Sequence, residues 1–256
     1  MMMLENSIVL ITGASSGIGA ACATLFARSG ARLILVARRQ DRLQELAGEL
    51  QQAYGTPSYL LALDVRDGAA VQQALQSLPS PWANIDILVN NAGLSRGLDK
   101  LHMGALQDWE EMIDTNLKGL LYVTRAVLPG MVERGRGHVV NIGSIAGRQT
   151  YPGGAVYCAS KAAVRAISEG LKLDLLGTPI RVTEIQPGLV ETEFSQVRFR
   201  GDRARAAAVY QGLTPLTAMD VAEVVVFAAT RPPHVNISEI LLVPTDQAST
   251  TLVHRR

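Results

Sequence analysis

Seven short runs rich in Val, Ile and Leu, with almost no polar alternation, punctuate this chain. They are IVLIT (8–12), RLILVA (32–37), SYLLALD (58–64), IDILVNN (85–91), HVVNIG (138–143), IRVTEIQ (180–186) and EILLVP (239–244). A strand with one wet face alternates apolar and polar side chains; one without that alternation is buried on both faces, as in a parallel sheet covered by helices. Helical patterns lie between the runs, at 17–29, 40–53, 67–78, 106–134, 155–176 and 218–230. Gly30 stands where the first would be capped, and Thr217 with Asp220 has the spacing of a capping box before the last. The alternation predicts an α/β chain: one Rossmann-type doubly wound parallel sheet of about seven strands, with helices on both faces and right-handed crossovers. No linker or low-complexity segment interrupts 1–256, so a single domain is expected. The polar stretch 188–216 breaks the rhythm after the sixth run and carries Arg198, Arg200, Arg203 and Arg205. It predicts a lid or substrate loop.

The formal net charge of +1 gives no reason to expect nucleic acid or an anionic membrane as a partner. Cys22 and Cys158 sit in no metal-ligand spacing, so no metal is expected, and free thiols fit a reducing cytoplasm. The start, MMMLENSIVLITG, lacks the basic region of a signal peptide, and no apolar run reaches the roughly 18 residues of a membrane span.

Between the first strand and the first helix the chain reads ITGASSGIG, with Gly13, Gly17 and Gly19 around Ser15, Ser16 and Ile18. Gly13 permits a tight turn, Gly17 lets backbone approach a pyrophosphate, and Gly19 allows close helix–strand packing. The helix N-terminus then faces phosphate charge. A dinucleotide-binding domain follows. Strand two ends in VARRQ, where an NAD site would carry an acid. Arg38 and Arg39 instead suit the 2′-phosphate of NADP(H), and Ser15 can add a hydroxyl.

The spacing T-G-x-x-x-G-x-G resembles the short-chain dehydrogenase/reductase family, and the resemblance runs over essentially the whole chain. NNAG (90–93), Asn116 in IDTNLKG, Ser144 in NIGSIAG, and Tyr157 with Lys161 in YCASK follow in the family's order. The resemblance implies that Asn91, Ala92 and Gly93 line the adenosine side of the cofactor, that Asp64 and Val65 meet the adenine, and that Pro187, Gly188, Val190 and Thr192 flank the nicotinamide. It also implies that Lys161 holds the nicotinamide ribose, that Ser144 holds the substrate oxygen, and that Asn116 positions a water which resupplies the proton. The residues themselves agree. Tyr157 and Lys161 are four apart, on one helix face. A phenol of pKa near 10 is a poor acid–base group near neutrality, and a neighbouring ammonium is expected to lower that value.

Within the family the chain is similar to a bacterial branch that oxidises serine, allo-threonine and small 3-hydroxy acids with NADP. The stretches that carry this are ARRQDRLQEL, DWEEMIDTNLKGLLYVTRAVLPGMVER, QPGLVETEFSQVRF and PPHVNI. A relative in that branch reduces sulfoacetaldehyde to isethionate. A small anionic substrate is therefore expected, with Arg96, Arg148, Gln149 and Arg198 as candidates for its acid group and Tyr151 and Phe194 as an apolar wall beside Ser144 and Tyr157. Arg148, close in sequence to Ser144, is the favoured anchor. With Gln149 it departs from the hydroxy-acid enzymes and tilts the expectation to sulfoacetaldehyde, the 3-hydroxy acids being the alternative. A non-catalytic NADP sensor would lack the Tyr/Lys pair. Few aromatics and an arginine-rich pocket edge argue against bulky lipid ketones. By the same resemblance, helix 106–134 and the helix of Tyr157 make a homotetramer or homodimer interface. The tail 245–256 either frays or crosses to cap a neighbouring site, and the resemblance favours the second.

Overall fold

The computed structural model describes residues 4–256; the first three methionines of the amino-terminal stretch lie outside it. Seven strands, β1 Ile8–Thr12, β2 Arg32–Ala37, β3 Ser58–Ala62, β4 Ile87–Asn90, β5 Gly137–Ile142, β6 Ile180–Pro187 and β7 Glu239–Leu242, form one sheet. Its order is β3-β2-β1-β4-β5-β6-β7, and every pairing is parallel.

Strand periodicity accounts for both cores. Val9, Ile11, Leu33, Leu35 and Val89 face one side, against Cys22 and Phe26 of α1 (Gly17–Arg28), Leu43 and Leu50 of α2 (Gln40–Tyr54), and a carboxyl-terminal helix, Ala218–Ala229. The alternate residues Leu10, Ile34, Val36 and Leu88 face the other side, against Val71 and Leu75 of α3 (Gly68–Gln76) and against Val123, Val127 and Met131. No polar face remains in the middle of the sheet, which is why the runs lack alternation. The expected capping box forms at Ala218–Ala229. Thr217 N donates to Asp220 Oδ2 at 2.7 Å, and Asp220 N donates to Thr217 Oγ1 at 3.2 Å.

Two expectations need revision. The single helix 106–134 is three pieces: α4 (Leu106–Ile113), a wide π-helical turn Asp114–Gly119, and α5 (Leu120–Arg134). Helix α6 spans Ala155–Asp174. The loop 188–216 is partly helical, with α7 (Phe194–Arg198) and α8 (Arg203–Ala208) before α9 (Ala218–Ala229). The strand order reverses between β1 and β4. At such a switch point the loops leaving the two strands diverge and open a crevice at their carboxyl ends.

Candidate active site

That crevice is a cleft of about 700 Å³. Its floor is the glycine loop. Gly13 and Gly17 hold left-handed backbone at φ +66° and +54°, and a Cβ on Gly19 would lie 2.4 Å from the Gly13 carbonyl oxygen. Gly19 thus packs under the loop, as expected. Asn91 locks the turn by donating from Nδ2 to the carbonyls of Thr12 and Gly13 at 2.9 and 3.2 Å. Ser16, at the helix N-cap, makes no side-chain cap bond. The first amides of α1 therefore keep their donors for another acceptor.

Arg39 lies across this floor. Its Nη2 meets Ser16 Oγ at 2.9 Å and Ser15 Oγ at 3.2 Å, and pairs with Glu193 at 3.0 Å. Arg38, Asp64, Val65, Ala92 and Gly93 line the same end. The extended loop, the free helix amides and the guanidinium fit a dinucleotide with a phosphate on its ribose. Among the described residues no group of His, Cys, Asp and Glu could hold a metal ion.

At the other end stand Ser144, Tyr157 and Lys161. Ser144 stands two residues past β5, and its Oγ accepts from Ala146 N at 3.1 Å. The Lys161 ammonium donates to the Ile142 carbonyl at 2.7 Å and is 5% exposed. Burial holds its pKa down at about 8, with Glu184 pulling the other way. The Tyr157 phenol is pushed up by burial and drawn back by the Arg198 guanidinium and the Ser144 hydroxyl. Arg198 is thus a cation acting on this phenol that the sequence reading did not connect with it. Arg198 lies 5.5 Å from the centre of the Tyr157 ring, and the lysine is aimed at backbone.

Asn116 lies in the π turn, behind the wall of the cleft. Its Oδ1 accepts from Leu94 N at 2.8 Å, while Nδ2 donates to Leu94 O at 2.8 Å and Ser160 Oγ at 3.0 Å. The side chain brackets the backbone after NNAG, and Oδ1 keeps one lone pair. Pro187, Gly188, Val190 and Thr192 form the roof. Gly17 and Thr192 nearly touch, since a Cβ on the glycine would sit 3.3 Å from Thr192 Cβ.

The substrate residues sort differently from the expectation. Arg198, Tyr151 and Phe194 line the cleft together. The Arg198 guanidinium lies over all three nearby rings, and its Nη2 donates to Tyr151 Oη at 3.1 Å. Its Nε is buried without a partner. Arg148 is outside the cleft: it turns under the sheet edge, donates to Gln186 Oε1 and pairs with Glu239 on β7. A three-residue gap from Ser144 is short along the chain, but the turn Ile145–Gly147 points the next side chain away. Gln149 is outside too, and its Oε1 accepts from Thr250 N at 3.2 Å. Arg96 is spent on Glu111 and the Val197 carbonyl, both at 2.5 Å. That grip, with Gly97 N donating to Arg198 O at 3.0 Å, fixes α7.

Sequence reasoning missed Glu193 and the tail. Gln247, Thr250, Thr251, Val253 and Arg255 line the cleft of their own chain. Gln247 Oε1 accepts from Leu189 N at 2.8 Å and fills the space beside Gly188. Within the chain the tail packs back on its own cleft. Its polar composition carried no signal of this; Gly188, too crowded for a Cβ, was the nearest clue.

The short chain dehydrogenase model matches residues 7–203. The chain belongs to the short-chain dehydrogenase/reductase family. It is 53% identical over 251 residues to the NADP-dependent 3-hydroxy acid dehydrogenase YdfG of Shigella flexneri, covering 97% of this chain and all of that one. It is 49% identical over 244 residues to sulfoacetaldehyde reductase 2 of Chromohalobacter salexigens, covering 95% and 96%. A solved structure described as the closed form of serine dehydrogenase complexed with NADP+ superposes with a TM-score of 0.91 at 52% identity, covering 97% of this chain and all of that one. This member of the family is an NADP(H)-dependent oxidoreductase.

Proposed function

We propose that the chain oxidises serine-like 3-hydroxy acids with NADP, and reduces the corresponding aldehydes. The carrying observation is the placement of Arg198. Its guanidinium stands over Tyr157 between Tyr151 and Phe194, with a buried, partnerless Nε. A carboxylate joined by a short spacer to a carbinol can pair with this arginine while its hydroxyl meets Tyr157. The expected sulfonate preference rested on Arg148, and the structure removes that support; similarity to the 3-hydroxy acid dehydrogenase and to serine dehydrogenase favours the carboxylate reading.

In the proposed mechanism the bound nicotinamide supplies the hydride exchange at the carbinol carbon. Ser144 holds the substrate oxygen. Tyr157 takes the hydroxyl proton in oxidation and gives it back in reduction. Lys161 and Arg198 supply positive charge around the phenolate, and Asn116 holds the segment after NNAG in place beside them. Arg38 and Arg39 take the 2′-phosphate, with Ser15, Ser16 and Ile18 around the pyrophosphate and Asp64 and Val65 at the adenine. The residues 188–216 act as lid.

The test compares serine, 3-hydroxypropionate and isethionate as substrates, following NADP reduction on wild type and Arg198→Leu. Both hydroxy acids should outrun isethionate. Arg198→Leu should raise their KM tenfold or more, about 1.5–3 kcal/mol for a lost charged hydrogen bond. Isethionate winning by more than tenfold would return the sulfonate reading, which the similarity to sulfoacetaldehyde reductase supports.

A further inference from the structure

Glu184 lies on β6 and is 2% exposed. Its neighbour Ile185 joins the core beneath α1 and α9, so strand alternation turns Glu184 to the opposite face, beneath α6. Oε2 accepts from Gln186 Nε2 at 2.6 Å, and Oε1 has no partner. A Cβ on Gly143 would stand 2.1 Å from that Oε1. The carboxylate is therefore pressed against the backbone that joins Ile142 to Ser144. Lys161 reaches the same backbone from α6, donating to the Ile142 carbonyl at 2.7 Å.

Burial pushes the Glu184 carboxyl up, the Gln186 amide, Lys161 and Arg148 draw it back, and Glu239 adds to the rise. Arg148, from the turn after β5, pairs with Glu239 of β7. Arg165 of α6 is exposed, and its charge bears on Glu239. Strand β5 offers only the neutral Asn141 opposite Glu184. Lys161 is the remaining buried cation. A lone buried carboxylate or ammonium is costly, and each offsets the other's cost when the two are close.

We propose that Glu184 is a positioning residue: its carboxylate is the buried counter-charge that holds the Lys161 ammonium in place beside Tyr157. This rests on the reading of Tyr157 and Lys161 as the acid–base pair. Burial alone drives the lysine toward its neutral amine, and Glu184 opposes that. Without the carboxylate the ammonium is lost closer to neutrality.

The chain has four lysines, Lys100, Lys118, Lys161 and Lys172, so ligand-free protein with ¹³Cε-labelled lysine gives a spectrum simple enough to titrate. The Lys161 signal is the one missing from Lys161→Arg. In Glu184→Gln its midpoint should fall by about one pH unit, a tenfold change in the protonation ratio. Glu239→Gln should leave it in place. The alkaline limb of kcat/KM for aldehyde reduction should move down with it. If Glu184→Gln does not fold, Glu184→Asp should still move the midpoint. An unmoved Lys161 midpoint in a folded variant overturns the proposal. A midpoint that falls while the alkaline limb stays put upholds the ion pair but sinks its place in the reaction, and with it the role given to Lys161.

Discussion

Tyr157 sits under a guanidinium and beside a hydroxyl, and burial still holds its proton on. A phenol in that state is ready to donate, which suits reduction; oxidation needs the phenolate. Oxidation of a 3-hydroxy acid should therefore speed up as pH rises above neutrality, while reduction should not share that rise. Steady-state profiles in both directions check this. Tyr157→Phe should cost roughly 10²–10⁴-fold in kcat, the usual worth of a positioned proton donor, with NADPH still bound by fluorescence. His138 offers a second titration, far from the chemistry. It is buried, donates from Nε2 to Thr183 Oγ1, and burial with nearby Arg181 lowers its pKa to about 3. The unfolded chain binds that proton from about pH 6.5 downward and the native chain does not, so stability falls as pH drops from 6.5 toward 3. The loss is on the order of 4 kcal/mol by pH 3. Urea unfolding at stepped pH should show it, and His138→Gln should flatten the curve.

The elements divide by how much of their geometry is local. Strands β1 and β2 fall on their expected bounds because residue pattern and flanking turns agree. The break in 106–134 was invisible: a π turn needs no Gly or Pro, and it follows from tertiary contacts. Here Gly119 packs so tightly on Val65 that a Cβ would meet its Cγ2 at 2.7 Å, so Gly119→Ala should lower stability by about 1–3 kcal/mol in thermal melts. The glycine loop and Tyr157/Lys161 were legible because each is a contiguous motif whose chemistry depends on its own spacing. Which of the candidate arginines lines the cleft was not: Arg198 was one of several, and Arg148 was the favoured one. Arg148 is near Ser144 in the chain and Arg198 far from it, and only the packing of α7 on Arg96 and Gly97 reverses that order in space. Arg39 shows the same long reach, since its partner Glu193 comes from the segment 188–216. Arg39→Ala should raise KM for NADPH tenfold or more and leave that for NADH nearly unchanged, narrowing the preference in a direct comparison of the two.

At the scale of the molecule, α5 and the end of α6 leave Leu121, Tyr122, Val132 and Leu173 exposed. We propose that copies of the chain meet through these helices, as a homotetramer or homodimer. Leu173→Glu with Leu121→Glu should shift the mass seen by light scattering to a smaller species. No helix among the described residues is long and apolar enough to cross a membrane. The cleft joins residues from opposite ends of the chain: Gly13 near one and Arg255 near the other. A ribosome that has delivered residue 240 has released every part of the phosphate loop and the Tyr157 helix. It has not yet released the wall formed by Gln247, Thr250 and Val253. The residues that meet the nucleotide are therefore delivered before the wall that closes the cleft.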